Sequence, residues 1–148
     1  MDLQHFLSLY EDDIQALTWK VRTVLLELVP EANELIWDNY NALAMAYSKS
    51  EILKDAFCHI AVYPKHVNLG FNRGVELTKT KLDLEGKGTL IRHIKIKDFD
   101  SAPWAYIKDT VLEAVINADS RNPTLAEKES KGKSIVMSIS EKKRRPRL

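Results

Sequence analysis

The chain has 148 residues, with 22 Lys/Arg against 21 Asp/Glu, 45% hydrophobic and 29% charged residues, and one cysteine. That length suits a single globular domain, and the lone Cys58 excludes an intrachain disulfide or a Cys-rich metal site. No apolar run approaches the roughly 18 residues of a membrane span, and the acidic start "MDLQHFLSLYEDD" lacks the positive charge of a signal peptide. A reducing, cytoplasmic location is therefore the expectation.

The first predicted element is a helix. Ser8 and Glu11 have capping-box spacing, and Asp12 and Asp13 supply charge where a helix N-terminus favours it. Ile14, Leu17, Val21, Val24, Leu25 and Leu28 then recur at three- and four-residue spacing, until Pro30 ends the helix. "ELIWDNYNALAMAYS" (34–48) reads as two short strands bent near Asn39–Asn41. "FCHIAVYPKHVNLGFN" reads as a hairpin: Phe57–Tyr63, a turn at Pro64–His66, then Val67–Phe71. A long polar connection over 72–89 follows, with a short helical turn expected around Val75–Leu77.

Leu90–Ile96 alternates as a strand, and "DSAPWAYIKDTVLEAVINA" opens a second helix, with Asp100 or Ser101 as cap and Pro103 in its first turn. Residues 119–148 are polar and carry nine Lys/Arg against four Asp/Glu, so they read as a flexible basic tail in which only Ile135–Ile139 could dock as a lone strand. The expected class is α+β: an antiparallel sheet of four to five strands flanked by N-terminal and C-terminal helices, occupying 1–118, with the tail over 119–148.

Three phrases, "WDNYNALAMAYS", "DAFCHIAVYPKHVNLGFNRGVEL" and "LEGKGTLIRHIKI", together resemble the YdhG-like domain family. This is a widespread bacterial domain, most of whose members have no assigned activity. The resemblance runs from about Leu7 to Ala118, and "VELTKTKLDLEG" departs from the L-P-D-P usual in its loop. It implies the α+β fold just described. Some relatives are described as frataxin-like iron chaperones, and no catalytic residue carries over.

Four constellations bear on function. In "LEGKGTLIRHIKI", backbone N–H groups near Gly86 and Gly88, with Lys87, Arg92 and His93, could hold an anion; the same residues also suit a plain turn entering a strand. It is neither a P-loop nor a dinucleotide fingerprint. Trp37, Asp38, Tyr40, Asn41 and Tyr47 combine apolar area with polar groups, as small-ligand pockets do, and equally suit a sheet core with the tyrosine hydroxyls at its rim; in a pocket, Arg73 is expected beside Trp37, Tyr40 and Asn41. The carboxylates Glu11, Asp12 and Asp13, with Glu27, Glu31, Glu34 and Asp38, offer hard oxygen ligands for iron, but also suit a helix start and a solvated face. The tail's Lys142, Lys143, Arg144, Arg145 and Arg147 could touch nucleic acid, weakly and nonspecifically.

His5, His59, His66 and His93 lack zinc-site spacing, and Cys58 and His59, as strand neighbours, point to opposite faces. No catalytic motif emerges. The expectation is a non-enzymatic binding module for a small anionic ligand or a partner protein, without a cofactor, with a frataxin-like iron chaperone as the alternative.

Overall fold

The computed structural model describes residues 2–143. A short helix α1 (Leu3–Leu7) precedes the long α2 (Asp12–Leu28). Strands β1 (Asn33–Asp38), β2 (Leu43–Ser48), β3 (Ala56–Val62), β4 (Val67–Phe71) and β5 (Arg92–Ile96) follow. Helix α3 (Trp104–Arg121) and strand β6 (Ser134–Ile139) complete the order. The class is α+β, as expected. The sheet is larger than expected and mixed: six strands in the order β5-β4-β3-β2-β1-β6, with β6 parallel to β1 and every other pair antiparallel. Arg144, Arg145 and Arg147 of the basic run lie outside the described residues.

The two faces of the sheet differ because side chains alternate along every strand. Pairing carries each phase across the sheet. One row, Ile36, Met45, Ile60, Leu69 and Ile94, faces α2 and α3 and forms the core with Ile14, Leu17, Val21 and Leu25 of α2 and Ile107, Val111 and Val115 of α3. The opposite phase gives two rows without a helix above them: Ser138–Trp37–Ala44–Ala61–Asn68–Lys95 and Ile135–Leu35–Ala46–His59–Gly70–His93. Leu35, Ala46 and Ala56 form a small second cluster there, under Trp37 and Ile135.

The start of the chain corrects the capping-box reading. Leu3, Phe6 and Leu7 are buried, so they wind a helix of their own, capped by Asp2 accepting from the His5 amide. Ser8 closes that helix, its hydroxyl donating to the His5 carbonyl at 2.6 Å. Helix α2 then begins behind Glu11 with no side-chain cap, and Asp12 and Asp13 sit in its first turn. Tyr10 ties the junction to the sheet. Its hydroxyl donates to the Val62 carbonyl at 3.0 Å and accepts the Leu43 amide at 3.3 Å.

Strand β6 is held by two buried polar residues of β1. Asn33 Oδ1 accepts from the Lys133 amide at 3.1 Å and from Lys128 Nζ at 3.2 Å. Glu34 Oε1 accepts from Ser134 Oγ at 2.7 Å. The backbone adds Gly132 N–H to the Pro30 carbonyl and Glu34 N–H to the Lys133 carbonyl, both at 2.9 Å. At Gly132 the chains approach so closely that a Cβ would lie 1.7 Å from the Ala32 carbonyl oxygen and 2.8 Å from the Asn33 nitrogen, so only glycine fits. These contacts offset the ordering entropy that the polar composition of this segment would otherwise leave uncompensated.

Candidate functional site

The residues expected to form a ligand pocket divide between the two ends of the sheet. Trp37 and Asp38 end β1, and Tyr40 and Asn41 lie exposed in the following turn, at the end where Val62, Val67 and Ile96 are paired. Arg73 follows β4 at the other end, and Arg92 pairs with Phe71 there, a strand length of about 17 Å away. Trp37 projects from the helix-free face. Asp38 lies on the helix side, in phase with Ile36, buried and 3.2 Å from Lys143 Nζ. Arg73 pairs with Glu76 at 2.7 Å, and Arg121 binds the other Glu76 oxygen at 3.0 Å. Hydrogen bonding and charge from these arginines hold the Glu76 carboxyl below its usual range.

The glycine-bearing loop wraps around Arg92. Arg92 Nη1 donates to the carbonyls of Gly88 and Ile91, each at 2.7 Å, and His93 exchanges two 2.8 Å backbone bonds with Glu85. Gly86 has φ of +134°, a conformation that favours glycine. Lys87 is exposed on this loop. The loop thus delivers a closed turn into β5, with the arginine guanidinium bonded to its carbonyls.

Glu11, Asp12 and Asp13 line the start of α2, and Glu11 lies 4.0 Å from Lys65. Among the described residues no three His, Cys, Asp or Glu side chains converge into a group that could hold a metal ion. Cys58 is fully buried in the helix-side core, and burial pushes its thiol well up. His59 projects from the opposite face, its ring over Gly70 and its Nδ1 3.0 Å from Asn72 Oδ1, and burial lowers its pKa.

One cleft of about 430 Å³ lies between residues 78–81 and α3. Its polar groups already tie loop to helix. Glu113 accepts the amides of Thr78 and Lys79, and the hydroxyls of Thr80 and Thr110 bond each other at 2.7 Å.

A second cleft of about 350 Å³ sits where α2, β1 and the start of β6 meet, and it has a different character. Its floor is Glu34, 1% exposed, which receives Arg22 Nε at 2.8 Å, the Tyr47 hydroxyl at 2.8 Å and Ser134 Oγ at 2.7 Å. Burial first, then the Glu34 charge, raises the Tyr47 phenol well above its ordinary value, so Tyr47 remains a donor. Three donors on one carboxylate fix its orientation and compensate its burial.

Arg22 is braced twice. Glu34 takes its Nε, and its guanidinium stacks 4.9 Å from the Trp19 ring centroid, while the side chain keeps 21% exposure. Lys131 and Lys133 stand on the opposite wall, and Leu26, Pro30 and Ala32 supply apolar surface. Sequence reasoning counted Glu34 only among surface carboxylates and did not single out Arg22. The available signal was phase: Glu34 lies two residues from Ile36, so a strand that buries one buries the other.

Comparison with protein-family models, with curated proteins and with solved structures found no match to this chain.

Proposed function

We propose that this chain is a non-enzymatic binding module of YdhG-like type that takes a small anionic ligand in the cleft between α2 and the start of β6. The phrases from Leu7 to Ala118 support the family reading. The observation that carries the functional reading is the doubly braced Arg22. A guanidinium oriented by Glu34 and Trp19, half-open to a cleft flanked by Lys131 and Lys133, is pre-organised for a carboxylate or phosphate. The apolar wall of Leu26, Pro30 and Ala32 suits a ligand with a small hydrocarbon body. Glu34 is compensated by its three donors and anchors the arginine from the floor of the cleft.

The test is equilibrium binding of inorganic phosphate and of citrate, followed by calorimetry. Saturable binding that weakens at least tenfold in Lys131→Ala/Lys133→Ala supports the site. Lys133 is 68% exposed, so that variant is expected to fold. Binding of either probe that is unchanged in the double variant places the anion elsewhere.

A further inference from the structure

The cleft that holds Arg22 also holds a second carboxylate besides Glu34. Glu27 lines it from α2, exposed, directly after Leu26. Two of the cleft's cations already meet carboxylates. Arg22 Nε is bonded to Glu34 at 2.8 Å, and Lys133 Nζ lies 3.9 Å from Glu51. Glu27 and Lys131, which line the same cleft, form no ion pair among the described residues.

An unpaired carboxylate is out of place in a cleft for a purely anionic ligand. It repels phosphate or a plain dicarboxylate, and the repulsion grows as the ligand displaces water between the charges. The same group becomes attractive when the ligand brings a cation of its own. Glu27 lies five residues after Arg22, about 7.5 Å further along the helix axis. A single small ligand can therefore meet both.

The remaining lining narrows the class. Lys131 and Lys133 stand across the cleft from Arg22, so cations face each other over the apolar surface of Leu26, Pro30 and Ala32. That arrangement suits a short methylene body with an anionic group at each end. The volume of about 350 Å³ lies at the small end of ligand sites. Arg22, Lys131 and Lys133 against Glu27 and Glu34 leave the lining with one positive charge, which complements a ligand of single net negative charge.

We propose that the cleft takes an amino-dicarboxylate, an amino acid with an acidic side chain. Arg22 holds one carboxylate, Lys131 and Lys133 hold the other, and Glu27 receives the ammonium. This rests on the anion reading of the cleft for the carboxylates and adds the ammonium position. Selectivity comes from Glu27, because a ligand without the amine leaves that carboxylate facing a like charge.

The test compares L-glutamate with glutarate, the same dicarboxylate without the amine, by calorimetry on the full chain, with phosphate alongside. The expected result is saturable binding of both dicarboxylates, with glutamate tighter by about fivefold, as a partly exposed ion pair gives. Glu27→Gln, at an exposed position, is expected to fold and to remove that preference. Lys131→Ala/Lys133→Ala is expected to weaken both ligands. Equal affinity for glutamate and glutarate overturns the inference and leaves the anion reading standing. A glutamate preference that survives Glu27→Gln also overturns it, since the ammonium then lies elsewhere, and so does phosphate binding without either dicarboxylate. Absence of saturable binding by any of these anions overturns both readings.

Discussion

Replacing Gly132 by alanine tests how β6 joins the sheet. A Cβ at that position meets only backbone, the Ala32 carbonyl at 1.7 and 2.2 Å and the Asn33 nitrogen at 2.8 Å, so no side-chain rotation relieves it. The 130–134 segment must move away from β1. Four hydrogen bonds go with it: Gly132 N–H to Pro30, Lys133 N–H to Asn33 Oδ1, Glu34 N–H to Lys133, and Ser134 Oγ to Glu34. At about 0.5–1.5 kcal/mol each, their loss amounts to about 2–6 kcal/mol. That is a large part of a typical domain's stability. Detachment of the strand is therefore expected before global unfolding.

Native-state hydrogen exchange reads this directly. The amides of Glu34, Gly132 and Lys133 are expected to lose at least about 30-fold in protection, while core amides such as Ile60 change less. Gly88→Ala is the control, since a Cβ there meets nothing within 4 Å. Unchanged protection in Gly132→Ala would refute the close packing of this segment on β1.

Three further outcomes follow from the same structure. Tyr47→Phe removes one of three donors to buried Glu34 and is expected to cost about 1.5–3 kcal/mol in urea denaturation, as bonds to a charged partner do; a cost below about 0.5 kcal/mol would mean Glu34 does not depend on it. His59 and His66 are both held below 6.5 when folded, so the unfolded chain binds protons near pH 6.5 that the native state refuses. Stability should therefore fall as pH drops through 6.5 towards the lower folded values and level off below them, and His59→Gln should flatten the slope of the urea midpoint against pH. Cys58, buried and with its thiol pushed up, should resist a thiol reagent in native buffer and react fully in denaturant; rapid native labelling would contradict its placement.

Most of the fold was legible where one residue pattern had one structural solution. The α2 stripe, the Pro64–His66 hairpin and the Asn39–Asn41 bend each follow from local spacing and turn chemistry, and the strands fall within a residue or two of where the pattern puts them. The sixth strand was legible only as an apolar run, Ile135–Ile139. Its partner β1 lies about a hundred residues earlier, and no local signal encodes a parallel pairing at that distance.

The site was less legible for the same reason. Glu34 is buried because three side chains from α2, β2 and β6 reach it, and none of those meetings is visible in its neighbours. Arg22 looks like any cation on a helix until Trp19, one turn away, and Glu34 fix it. Trp37 and Arg73 show the converse. Both have the chemistry of ligand contacts, and the strand register sets them at opposite ends of the sheet.

The most direct measurement of the central claim is a two-dimensional amide and arginine Nε–H NMR titration of the full chain with inorganic phosphate. The account expects saturable shifts at the Arg22 Nε–H and at the amides of Lys131, Gly132 and Lys133, with the 86–92 loop unmoved. Shifts confined to Gly86–Arg92, or a linear drift across all exposed lysines without saturation, would contradict it.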